Sequence, residues 1–180
     1  MADGFDALFE AAKQQVTPPP PKPDADQWPF TCLGYDRERF YLYTAEGKQV
    51  LAMSAKDLTS HGILLKLAKL RWWEGAFPGR ESFNARMAAD EIIRACYRTG
   101  VFNPDIVRGR GVWMDEGRRV MHLGDHLLVE GERTELTKHK SRWIYEQSRP
   151  LAVKLGDPLT DDEGKRFLAM CRAVSWADQN

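Results

Sequence analysis

Between residues 108 and 131 glycine recurs at Gly109, Gly111, Gly117, Gly124 and Gly131, separating short runs of mixed apolar and polar side chains. Glycine at such points supplies the positive φ that tight hairpins need. The spacing predicts consecutive antiparallel strands from Gly111 to about Leu136, turning at Asp115–Gly117, Leu123–Asp125 and Glu130–Gly131. The stretch opens with two arginines set among glycines, Arg108 and Arg110, and carries His122 and His126 on either side of one turn.

A second set of strands precedes it. Phe30–Leu33, Phe40–Thr44 and Gln49–Met53 are rich in β-formers, with polar turns at Asp36–Arg39 and Ala45–Lys48. Tyr41 and Tyr43 share a face because strand side chains alternate, and with Tyr35 they give this meander an aromatic edge. Between the two meanders a helix is expected over Ser60–Lys69, with Ile63, Leu64 and Leu67 inward and a loop from Leu70 onward. A longer helix over Ser82–Thr99 places Ala85, Ala88, Ala89, Ile92, Ala95 and Cys96 on one stripe and stops at Gly100. Arg142–Gln147 reads as an added edge strand. Thr160–Glu163 forms a capping box, and the helix behind it turns Phe167, Leu168, Cys171 and Val174 to the core. The fold class expected is α+β: two antiparallel β-meanders, a central helix pair and a C-terminal helix.

This domain is expected to span residues 28–180. Ahead of it, residues 1–16 form a short amphipathic helix or a disordered tail, with Phe5, Leu8, Phe9 and Ala12 at helical spacing. Residues 17–27, with a proline run from Pro18 to Pro21, form a linker. Twenty-six basic and 26 acidic side chains cancel, so bulk charge calls for neither nucleic acid nor an anionic membrane. A local bias survives: Arg37–Trp72 holds seven Lys or Arg against three Asp or Glu. Three widely spaced cysteines, Cys32, Cys96 and Cys171, suit reduced buried thiols rather than a disulfide framework. No signal-peptide run and no membrane span is legible, so a cytoplasmic protein is expected.

His122, Asp125 and His126 invite a metal reading, and hence a metal-dependent hydrolase or nuclease, with His139 or His61 as third ligand. Gly124 and Asp125 argue against the helix that would put both histidines on one face. No G-x-S-x-G frame is present, and no cysteine has a nucleophile's context. The paired acids Asp115/Glu116 and Asp161/Asp162 sit at a turn and a helix start, where they serve local hydrogen bonding. Seven residues separate Gly156 from Gly164 where a phosphate loop needs four, so that route to ATP is closed. No catalytic residue and no cofactor is expected.

Recognition of an anionic, extended partner remains. Arg108 and Arg110 present guanidinium groups suited to phosphate oxygens. Tyr41, Tyr43 and Trp113, with Trp72 and Trp73, offer rings on which bases stack.

Taken together, Phe30–Tyr35, Tyr41–Tyr43, Arg108–Trp113 and His122–Gly131 resemble the N-terminal region of P-loop ATPases carried by prophages and integrative elements, the helicase- or primase-associated replication proteins. The resemblance covers roughly residues 28–176. In those proteins a segment similar to Val174-Ser175-Trp176 precedes the Walker A core, which implies here either an excised N-terminal domain or a stand-alone relative. The family has arginine or another residue where His126 stands, which tells against the metal reading. The resemblance implies a non-catalytic accessory domain of a mobile-element DNA replication ATPase. Its expected contacts are DNA, through Arg108, Arg110, Tyr41, Tyr43 and Trp113, or an ATPase core or other replication protein. A protein-interaction or oligomerisation module is the competing expectation.

Overall fold

The computed structural model describes residues 27–151 and 159–173. The helix expected over residues 3–15, the proline run and Val174–Trp176 lie outside the described residues.

Three strands, β1 (Phe30–Asp36), β2 (Arg39–Thr44) and β3 (Gln49–Met53), form an antiparallel sheet in that order. Alternation along β2 sends Phe40, Leu42 and Thr44 into the interior, while Tyr41 and Tyr43 stay half-buried on the other face. A bulge between Cys32 and Gly34 bends β1. Gly34 has φ 126°, and a Cβ there would collide with the Gly100 carbonyl, which accepts a 3.0 Å hydrogen bond from the Tyr35 amide. Glycine is required at that point because strand and helix end meet there backbone to backbone.

The connection that follows departs from the sequence reading. Instead of one helix over Ser60–Lys69 and a loop from Leu70, there are three short helices: α1 (Ala55–Leu58), α2 (His61–Leu64) and α3 (Leu70–Ala76). The reason is Trp73. Its side chain is fully buried in the core, and its indole N–H donates to the carbonyls of Leu64 and Ala68, both at 3.1 Å. One buried ring thus gives the Ala68 carbonyl a donor at the helix break and adds a third to the Leu64 carbonyl, which already accepts from the Leu67 and Ala68 amides. The helix α4 (Ala85–Thr99) follows, capped by the Asn84 side chain on the Met87 amide and ended by Gly100 at φ 102°. Its buried residues are Ala85, Ala88, Ala89, Ile92, Ala95 and Cys96, the stripe read from the sequence. Small side chains there let the helix lie close against β1 and β2. Phe30, Leu42, Leu58, Leu64, Trp73, Phe77 and Ile92 fill the resulting core.

The second half begins with β4 (Val107–Arg108) and continues as β5 (Gly111–Asp115), β6 (Arg118–His122), β7 (His126–Val129) and β8 (Glu132–Glu135). The last four make an antiparallel sheet in sequence order. Two of its turns carry positive φ at both central residues, Glu116/Gly117 and Glu130/Gly131, the conformation a two-residue hairpin favours. Val120, Leu127, Leu136 and Tyr145 form its core, with Trp113, Val129 and Trp143 packed around them.

The expected edge strand is β9 (Ile144–Tyr145), but it does not extend this sheet. It pairs in parallel with β4, Val107 opposite Ile144 and Arg108 opposite Tyr145. From there the chain reaches back to the first sheet. Gln147 N donates to Lys48 O at 2.8 Å, and the Val50 amide donates to the Glu146 carboxylate at 2.6 Å.

The helix α5 (Asp161–Ala173) has the expected capping box, with Thr160 N donating to Glu163 Oε2 at 2.9 Å. Among the described residues its apolar side meets neither core. Phe167 and Leu168 are exposed, Cys171 is half-buried, and no described residue of the helix is buried. Periodicity dictated the helix, but both cores close without it. The architecture is α+β, and no helix among the described residues is long and apolar enough to cross a membrane.

Candidate nucleic-acid interface

Arg108 leaves β4 half-buried. Its guanidinium lies over the Trp143 ring at 3.8 Å and over the Trp113 ring at 4.6 Å, and it donates to the Asp105 carbonyl at 2.7 Å. Stacking on two indoles fixes the guanidinium plane and leaves its charge without a carboxylate partner among the described residues. The intervening loop is held by the same ring, since the Trp113 indole N–H donates to Gly109 O at 3.0 Å. Arg110, at the tip, is exposed and forms no ion pair among the described residues.

A third arginine joins them. Arg142 lies over Trp143 at 4.6 Å and is likewise without a carboxylate partner among the described residues. Neither it nor Trp143 figures among the sequence-predicted site residues. Their signal was there: Lys138-His139-Lys140-Ser141-Arg142-Trp143 packs three cations and an aromatic ring into six residues with no acid.

The tyrosines go to different places. Tyr41 packs on Phe102, ring centroids 4.9 Å apart. Tyr43 lines a cleft of about 230 Å³ between the two sheets, together with His139, Trp143 and Tyr145. Burial, then the neighbouring Glu146 carboxylate, raises the Tyr43 hydroxyl pKa. The structure therefore unites Arg108, Trp113 and Trp143, sets Tyr43 in the cleft that Trp143 also lines, and engages Tyr41 with Phe102 instead.

Behind the cleft is a polar centre. Asp115 is fully buried at the end of β5; it sits 2.6 Å from His139 Nε2 and accepts from the Tyr145 hydroxyl at 3.2 Å. Burial pushes its pKa up, but hydrogen bonds from His139, Ser141 and Tyr145 outweigh that and hold it below the ordinary carboxylate range. Burial and the same carboxylate push Tyr145 up to about 12. At neutral pH the carboxylate is ionised and the phenol protonated. Asp115 Oδ1 and both ring nitrogens of His122 are buried without a hydrogen-bond partner among the described residues.

The metal candidates do not converge. His122 is opposite Leu127 and faces inward with it, so His126, one residue before Leu127, points to the other face of the sheet. His126 instead pairs with Asp125 at 2.7 Å. Of the third ligands considered, His139 is engaged by Asp115, and His61 sits 2.9 Å from the Phe83 carbonyl in the other half. Among the described residues no group of three or more His, Cys, Asp or Glu is placed to hold a metal ion. The three cysteines are free thiols; Cys32 is hydrogen-bonded to Cys96 and partly buried, both of which raise its pKa.

Set against known protein families, curated proteins and solved structures, the chain matches none of them.

Proposed function

We propose that this chain is a non-catalytic accessory domain that contacts nucleic acid through Arg108, Arg110 and Arg142, with Trp113 and Trp143 as its aromatic platform. The carrying observation is that the guanidiniums of Arg108 and Arg142 both lie over Trp143 while no carboxylate among the described residues neutralises them. A phosphate oxygen is the complement such a group lacks, and an ordered guanidinium loses less freedom on binding one. The resemblance of Arg108–Trp113 and His122–Gly131 to the N-terminal regions of prophage replication ATPases supports a setting beside the motor of a mobile-element replication protein.

The test is fluorescence anisotropy of labelled single- and double-stranded oligonucleotides across a salt series. Three phosphate contacts give a slope of log K against log salt of about −2 on a single strand and about −2.7 on a duplex. Replacing Arg108, Arg110 and Arg142 by alanine removes most of that slope. Binding unchanged in the triple variant defeats the assignment.

A second reading, a protein-docking module, is favoured by a separate observation. Val112 and Met114 on the outer face of the β5–β8 sheet are 68% and 65% exposed, and Phe167, Leu168 and Met170 of α5 are exposed as well. Apolar side chains presented in groups mark interaction surfaces. Sedimentation of the chain beside a Val112→Asp, Met114→Asp variant checks it: loss of self-association favours this reading, and a monomer in both removes its oligomeric form.

A further inference from the structure

Resting on that reading, we infer that the cleft between the two sheets receives a single unstacked base of a bound strand, whose phosphates lie on the arginines at Trp143. The dimensions bear on this first. At about 230 Å³ the cleft is smaller than the roughly 300 Å³ at which pockets begin to hold whole drug-sized ligands, so it suits a planar fragment. Its walls suit the faces of such a fragment: Tyr43 comes from the first sheet, Trp143 and Tyr145 from the segment that joins the two halves.

Charge then selects the chemistry. Among the described residues the lining contains no lysine, arginine or carboxylate. Of the carboxylates nearby, Asp115 sits behind the wall and is occupied by His139 and Tyr145, and Glu146, beside Tyr43, accepts from the Val50 amide. The inserted moiety is therefore neutral, with a face for the Tyr43 ring and an edge that the His139 imidazole can hydrogen-bond. Just outside, Arg108 and Arg142 lie over the Trp143 wall, so what is attached to that moiety is anionic. A neutral planar ring joined to an anion is the description of a nucleotide. Stacking on an aromatic wall is how sequence-tolerant single-strand binders hold bases, whereas a base in a duplex is not free to enter.

The cleft is also built in advance. Gln147 N to Lys48 O and Val50 N to Glu146 Oε1 bind the two halves together, and Gln49 Nε2 adds a 3.1 Å bond to Gln147 O. His139, a wall residue, is fixed by its 2.6 Å contact with Asp115. No rearrangement is needed to form the walls.

The experiment compares a short single-stranded oligonucleotide with the same strand made abasic at every position, by competition for the full chain at fixed salt. The base-bearing strand binds about tenfold or more tightly, the worth of one stacked base, and both strands show the same salt slope because phosphate contacts are shared. In Tyr43→Leu the difference between the two strands falls toward unity while the salt slope holds. Equal binding of both strands by the unmodified chain overturns the base receptor and leaves the phosphate reading standing. Failure of both strands to bind overturns both readings. If Tyr43→Leu melts too low for binding work, the two strands on the unmodified chain decide the matter alone.

Discussion

The two halves of this molecule are stabilised by different physics. The first packs three strands and α4 around a core of Phe, Leu, Ile, Trp, Ala, Met and Cys side chains that holds, among the described residues, no carboxylate and no imidazole, and its buried indole has two hydrogen-bond acceptors. The second has a core of four buried residues beside an ionised Asp115, His139 and Tyr145, with orphaned polar atoms on Asp115 and His122. A volume-limited core serves as scaffold. A small core organised around charge costs stability and fixes orientation, and it is this half that carries Arg108, Arg110, Arg142 and both platform indoles.

The contrast is broken most severely at Trp73. Trp73→Ala leaves a large void and takes the indole donor from the Ala68 carbonyl, and it is expected to cost about 3–5 kcal/mol in urea unfolding. A loss under about 1 kcal/mol contradicts the packing account. Asp115→Asn tests the other half. It removes the charge that His139 and Tyr145 are built around, for an expected loss of about 3 kcal/mol. Amide exchange then accelerates in β5–β8 before α4; equal acceleration in both means the halves open as one unit.

A smaller effect comes from pH. The Asp115 pKa is lowered in the fold, so its contribution is present above the unfolded value of about 3.9 and is lost as pH falls through the folded one. The Tyr145 pKa is raised to about 12, so its contribution is full below the unfolded value of about 10 and is lost as pH climbs towards 12. Thermal melts should show a plateau that falls off on both sides, with Asp115→Asn flattening the acid limb. An acid limb unchanged by that substitution contradicts the role given to Asp115.

The same division governs what was legible in the sequence. Features set by neighbours along the chain could be read: the hairpin turns at Glu116/Gly117 and Glu130/Gly131, the α4 stripe, the capping box at Thr160. Features set by contacts across the chain could not. The break after Leu64 depends on where the Trp73 indole lands. The parallel pairing of Val107 with Ile144 joins residues far apart in sequence. Asp115 looked like a turn acid because nothing local announces His139 or Tyr145 as its partners. For the candidate site, Arg108 and Trp113 were visible within one motif, whereas Trp143 and Arg142 become its members only once β9 pairs with β4. The apolar period of α5 fixed a helix without fixing a surface for it.

The most direct test of the central claim is the salt dependence of single-stranded DNA binding by the full chain and by the variant with Arg108, Arg110 and Arg142 replaced by alanine. A slope near −2 that falls towards zero in the variant, with its thermal melt preserved, is the result expected. The same slope in both proteins, or no binding even at the lowest salt, contradicts the claim that these guanidiniums face phosphate.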